Sequence, residues 1–379
     1  MTNSARAVAV DEIATMKAAF WNLTDQDGRK YDPPYMSMPL EGVIALGVEC
    51  GTEVWMHAPI GLGFPEVMRK TKVPEGLKFH DFIAPHTDAI FASDEWDKYA
   101  DAFVAALKAQ NYPEDRPLYL TIGNEVWNWG ANFYYGTAYG NGVGAGLNYR
   151  TAGDKTSIGY GALMAKLKIS VDAALARAGR KQNITYVVER MQGANPAIGS
   201  LNGAKTWLGQ HGEDWADHAP GFALAYAPYW KVEWEEFAKP DEWRKMIAEK
   251  PEETAKAFAD FNIASFRKKE FVWAEELEKQ AAEPFGVRVL GMYEAGNHLK
   301  KLPAFIDKQW RDDFIWGPEG GRANYEIYRM MAERFPGIVI SNYALAGPVG
   351  GEPWGEGPLG ADNAYARSWP RLMEAVGHE

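Results

Sequence analysis

A single cysteine, Cys50, stands in a chain of 379 residues. That excludes an intrachain disulfide framework and any zinc site built on cysteines. Cys50 follows an apolar helical pattern and is expected as a buried structural thiol. Positive charge is in deficit, with 40 Lys+Arg against 51 Asp+Glu for a formal net charge of −11. Such a chain lacks the overall electrostatic footprint of a nucleic-acid binder and gains nothing from an anionic membrane surface. No apolar run reaches the roughly 18–20 residues that span a bilayer. Residues 1–20 carry Asp11, Glu12 and Lys17 where the apolar core of an export signal would lie, so no signal peptide is expected here. A Gly-x-Ser-x-Gly nucleophile elbow is missing, as is a phosphate-binding glycine loop followed by Lys-Ser/Thr. His211, Asp214 and His218 have a spacing that chance supplies easily, and so do His80, Asp81, His86 and Asp88; neither metal nor organic cofactor is expected.

What the chain does have is apolar and aromatic mass. Hydrophobic residues make up 46%, and 17 Phe, 15 Trp and 18 Tyr exclude disorder as the dominant state. Six short apolar runs read as strands: residues 53–58 (EVWMHA), 118–123 (LYLTIG), 184–189 (ITYVVE), 222–227 (FALAYA), 287–293 (VRVLGMY) and 338–341 (IVIS). Helical patterns fall at 39–49, at 94–110 with Ser93 as its N-cap, at 158–178 and at 324–334. Near-continuously apolar strands alternating with helices predict a parallel sheet buried on both faces. Residues 129–156, rich in Gly, Asn and Tyr, read as a long linking segment. Residues 230–284, charged and helix-prone, read as a helical insertion that could cover one side of a site. With no repeat and no convincing linker, the expectation is one domain over 1–379, with 1–38 as an uncertain N-terminal segment.

Polar and aromatic residues gather where the strands end. His57-Ala58-Pro59 closes the first run, Asn124-Glu125 follows the second, and Glu189-Arg190 ends the third. Tyr226, Tyr229 and Trp230 surround the end of the fourth, and Tyr293-Glu294 ends the fifth. The C-terminal ends of parallel strands form the active-site face of a (β/α)8 barrel. Two glutamates on two strand ends suit glycosidic bond cleavage, in which one protonates the leaving oxygen while the other attacks the anomeric carbon. The blander readings are a helix-capping Glu125, a solvated Glu294 and, for Glu189-Arg190, an ion pair between neighbours. Trp127, Trp129, Phe133, Tyr134 and Tyr135 crowd the segment after the second strand and read either as core or as a sugar-stacking wall.

The extended pattern is Gly123-Asn124-Glu125-Val126-Trp127-Asn128, then Ala227-Pro228-Tyr229, then Tyr293-Glu294-Ala295-Gly296-Asn297-His298. In order and strand-end placement it resembles the clan A retaining glycoside hydrolases, over residues 39 to about 357. The resemblance implies a (β/α)8 TIM-type barrel of class α/β, with the six runs as strands 3 to 8 and Glu125 opposite Glu294 across its mouth. It implies Glu125 as general acid/base, Glu294 as nucleophile, and Asn124 on the sugar 2-hydroxyl. Tyr226 or Tyr229 would orient Glu294. His57 matches a sugar-contacting position and Trp354 an aromatic platform under the cleaved sugar, while Trp127 and His298 fall inside the matching motifs and are expected at the substrate.

The pattern departs from the clan at the start. Two more strands are needed before residue 53. Residues 5–10 could be a short strand and 11–21 a helix, but 25–34 (DQDGRKYDPP) is turn-like, and no early arginine matches beyond Arg6 and Arg29 by default. The expected activity is retaining hydrolysis of a β-linked oligo- or polysaccharide, a substrate class compatible with an extracellular setting. Transglycosylation uses the same residues. A non-catalytic carbohydrate-binding barrel within a larger assembly is the alternative.

Overall fold

The structure is a computed structural model that describes residues 40–65, 73–130, 133–190, 193–230, 234–299, 303–342 and 363–375. The expected elements at 5–10 and 11–21, Arg6, Arg29 and Trp354 lie outside the described residues.

The six apolar runs are six strands: β1 Val54–Ala58, β2 Leu118–Ile122, β3 Ile184–Arg190, β4 Phe222–Tyr226, β5 Arg288–Ala295 and β6 Val339–Asn342. They form a parallel sheet in chain order, β1-β2-β3-β4-β5-β6, within an α/β fold. Every residue of β2 and of β4 is buried, as strands covered on both faces require. Among the described residues the sheet has six strands, not the eight of a closed barrel. No helix of the described residues is long and apolar enough to cross a membrane.

The chain divides into two compact units. One comprises the described residues up to Leu224 together with Lys279–Arg288; the other comprises Ala225–Glu278 and the described residues from Val289 onward.

In the first unit the helices are α1 Leu40–Glu49, α2 Glu95–Ala109, α3 Tyr134–Leu147, α4 Lys155–Arg177 and α5 Ala194–Gln210. Helix α2 begins close to its expected start, and Ser93 Oγ accepts the Glu95 amide at 3.3 Å. Helix α3 corrects the reading of 129–156 as a linker. Its sequence, YYGTAYGNGVGAGL, has poor intrinsic helix propensity. Packing decides instead, because its glycines let α4 approach closely: a Cβ on Gly144 would overlap the Lys155 carbonyl oxygen, and one on Gly159 that of Gly140. Helix α5 approaches α4 in the same way, at Gly161 against Ser200 and at Gly203 against Ile158. Cys50 is exposed rather than buried. Helix α1 ends at Glu49, and Cys50 sits in the turn beyond it.

Helix α4 starts at Asp154, whose carboxylate accepts the Ser157 amide at 3.0 Å and the Ser157 hydroxyl at 2.6 Å. Burial pushes the Asp154 carboxyl up, but the two bonds from Ser157 and the Arg190 charge outweigh it and hold it below the usual carboxylate range. Asp154→Ala is expected to cost about 1 kcal/mol at neutral pH, the usual worth of an N-cap. Because the folded value is the lower one, the cost is fully present above the unfolded pKa of about 3.9. It shrinks as pH falls below that value. Denaturant unfolding of both proteins across the acid range measures it, and a pH-independent difference would refute the assignment.

In the second unit, residues 234–278 are mostly helical, with α6 Trp234–Phe237, α7 Pro240–Glu249, α8 Pro251–Lys268 and α9 Glu270–Leu277. Its aromatics build core. Phe258 lies 5.1 Å from both Trp234 and Trp243, and 5.0 Å from Phe314 of α10 Lys308–Trp316. Helices α11 Pro318–Arg334 and α12 Ala364–Ala375 complete the unit.

Candidate functional site

In the first unit the site grows from the C-terminal ends of β1, β2 and β3. Successive residues on a strand point to opposite faces, and this separates Glu189 from Arg190. Arg190, 1% exposed, lies over the Tyr160 ring of α4 at 4.7 Å and donates to Ser200 Oγ of α5, on the helix side. Glu189, 2% exposed, points to the other face and meets β1. Its Oε1 accepts Trp55 Nε1–H at 3.0 Å, and His57 Nε2 lies 3.0 and 3.1 Å from its two oxygens. The side-chain partner of Glu189 is therefore His57, 132 residues away, where an ion pair with its neighbour Arg190 was expected.

Tyr160 holds this end of the sheet. The β2–β3 pairs are Leu118↔Ile184, Tyr119↔Thr185 and Leu120↔Tyr186. Beyond them the Tyr160 hydroxyl bridges the strands: it accepts the Glu189 amide at 3.2 Å and shares a hydrogen bond with Thr121 Oγ1 at 2.8 Å. Burial pushes the Tyr160 hydroxyl far up, and the Glu189 carboxylate adds to the effect, so the phenol keeps its proton.

Glu125 follows β2 in a tight turn. Its φ is +48°, a left-handed conformation uncommon outside glycine and one found at functional sites. The Asn128 amide donates to the Glu125 carbonyl at 2.8 Å, and Asn128 Nδ2 donates to Glu125 Oε2 at 2.7 Å. Thr137 of α3 in turn donates to the Asn128 carbonyl at 2.7 Å. The Glu125 carboxylate is thus oriented by Asn128 and the turn by α3. Asn124 and Trp127 flank it, both half-buried. Trp127 Nε1–H is buried and has no acceptor among the described residues, although buried indoles usually find one. Trp129 is 48% exposed, with His80 at 6.2 Å and Tyr134 at 6.0 Å edge-on to it. The aromatic segment after β2 therefore splits into a packed part and one exposed ring.

In the second unit the site is built on β5. The β5–β6 ladder pairs Gly291↔Val339 and Met292↔Ile340, then resumes at Ala295↔Asn342. One extra residue is thus accommodated at Tyr293-Glu294, a bulge of the kind that re-aims a side chain. Glu294 is 5% exposed, and the Tyr229 hydroxyl donates to its Oε2. Tyr229 stacks on His298, with ring centroids 4.8 Å apart. The two segments are zipped together past the strand ends, Trp230 N–H to the Gly296 carbonyl and His298 N–H to the Trp230 carbonyl, each at 3.1 Å. Tyr328 of α11 clasps both, accepting from Gly296 N–H and donating toward the Pro228 carbonyl at 3.1 Å. Burial, reinforced by Tyr365, raises the Tyr328 hydroxyl well above its ordinary value and keeps it a donor.

No family model matches the chain, and no curated protein or solved structure matches it. The α/β fold and these two clusters therefore rest on the structure itself.

Of the two tyrosines expected beside Glu294, Tyr229 holds it. Tyr226 is fully buried, its hydroxyl directed at Met331 Sδ of α11 at 3.7 Å. The strand decides this, since Tyr226 ends β4 on its helix-packed face while Tyr229 lies past the strand. The structure brings together His57 with Glu189, Glu125 with Asn128, and Glu294 with Tyr229 and His298. Sequence reasoning missed Asn128, Tyr160 and Tyr328. Asn128 carried a signal, three residues after a turn-forming glutamate; the two tyrosines, on distant helices, carried none. Among the described residues no group of three or more His, Cys, Asp or Glu side chains is placed to hold a metal ion.

Proposed function

We propose that this protein is a retaining O-glycoside hydrolase acting on a β-linked oligo- or polysaccharide, as its resemblance to the clan A enzymes implies. The observation that carries the reading is Glu294, a buried carboxylate at the C-terminal end of a parallel strand, aimed by a bulge and held by the Tyr229 hydroxyl. A nucleophile needs its carboxylate held in one orientation, and the Tyr229 hydroxyl on Oε2 supports that need. Glu125, on a second strand end with Asn128 on its carboxylate, supports the acid/base role.

In the first step Glu294 bonds to the anomeric carbon as the glycosidic C–O bond breaks, and the Glu125 proton passes to the leaving oxygen. In the second step water attacks the same carbon. Glu125 takes a proton from the water, and the bond to Glu294 breaks with its electron pair returning to the carboxylate. Asn124 is the candidate partner of the sugar 2-hydroxyl. The unsatisfied Trp127 N–H and the exposed Trp129 ring support a sugar-binding wall of stacking faces and hydroxyl acceptors.

Intact-protein mass spectrometry after incubation with 2-deoxy-2-fluoro glycosides of several sugars tests the reading. The expected result is one glycosyl adduct, located by peptide mapping on Glu294. An adduct elsewhere, or none from any probe on folded protein, overturns it in favour of a binding module.

A further inference from the structure

We propose that Glu189 is a positioning residue for sugar binding that acts through His57. The inference rests on the reading of this face as a carbohydrate site. Its physical basis is a buried charge in an unexpected place. Strand β2 lies between β1 and β3, so the pair from His57 to Glu189 crosses over the middle strand. From that same strand end emerges Gly123-Asn124-Glu125.

A buried carboxylate is costly unless fully paired, and apolar residues of similar volume commonly serve stability as well or better. Here three elements support it. Trp55 donates to one oxygen, His57 to the pair of them, and Tyr160 receives the amide of the same residue. The ionised carboxylate only accepts hydrogen bonds, so His57 must carry hydrogen on Nε2. Glu189 thereby sets both the plane of the imidazole and its tautomer. The hydrogen on Nε2 then faces Glu189, which fixes how the imidazole is presented at the strand end. The arrangement repeats the logic by which an outer carboxylate orients a working histidine.

A double-mutant cycle over His57→Ala and Glu189→Gln, on an aryl glycoside panel, provides the kinetic test. Glu189→Gln alone is expected to lower kcat/KM roughly tenfold, mainly through KM, and to change it less than about twofold once His57 is alanine. Equal losses in both backgrounds overturn the proposal. Histidine-labelled ¹⁵N NMR supplies a second readout that needs no turnover. Wild-type His57 is expected as the Nε2–H form, with a shifted ring signal in Glu189→Gln; an unchanged signal also overturns it. Should Glu189→Gln fail to fold, Glu189→Asp withdraws the carboxylate by one methylene, and the same ring shift is expected. If wild-type protein turns over no glycoside, that failure belongs to the hydrolase reading, and the NMR result decides the role of Glu189.

Discussion

Glu294→Ala is expected to lose glycoside turnover by a factor on the order of 10⁴ or more, with its unfolding transition intact. Tyr229 is a donor there and His298 is stacked on Tyr229, so neither is placed as a second nucleophile. Glu125→Ala separates the two steps. A dinitrophenyl glycoside has a leaving group that needs no proton, so attack by Glu294 proceeds. Water then lacks its base, and the glycosyl-enzyme accumulates. Steady-state kcat falls by roughly 10²–10⁴, the usual worth of general acid–base catalysis. Azide attacks without a base and is expected to restore turnover, releasing a glycosyl azide. Stopped-flow burst kinetics and product analysis measure both effects. Full activity in either variant, or no azide rescue in Glu125→Ala, would remove the corresponding role.

The second large effect concerns stability. Gly161→Ala is expected to destabilise the protein by about 3 kcal/mol, the upper range for forcing a methyl group into a packed interior. In an exposed helix the same change would help, since alanine is favoured over glycine by roughly 0.8–1.0 kcal/mol. The sign is reversed because the new Cβ would overlap the Ser200 carbonyl oxygen, which sits on backbone and cannot swing away. Gly209→Ala is the matched control. It lies on α5, and a Cβ there meets nothing within 4 Å. That variant is expected to be as stable as the parent or up to about 1 kcal/mol more so. Urea unfolding of the two variants separates them, and similar midpoints would show that α4 and α5 are not closely packed.

Legibility in the sequence followed the range of the interaction. All six strands could be located because a buried parallel strand must be apolar along its length, and β2 and β4 are buried throughout. Helix α4 announced itself by its apolar period, and Asp154 caps it through a local bond to Ser157. Helix α3 did not, because glycine is a poor helix former and becomes tolerable only where another helix must come close. Cys50 was misjudged for a related reason: its apolar neighbours belong to a helix that ends one residue before it. On the site, Glu125 and Glu294 could be singled out by their strand-end context, and Tyr229 stood as one of two choices. The choice against Tyr226 needed the strand end to be known to the residue.

By itself the sequence determined the alternation of strands and helices, the parallel α/β class, and which carboxylates stand at strand ends. These follow from periodicity and from contacts a few residues long. Only the tertiary structure decided who pairs with whom. The bond from Glu189 to His57 spans 132 residues, and that from Tyr229 to Glu294 spans 65. The bulge that aims Glu294 exists only as a mismatch between two strands. The physical reason is that a buried charge is satisfied by whatever donor the packing brings within about 3 Å. Sequence distance carries no information about that donor.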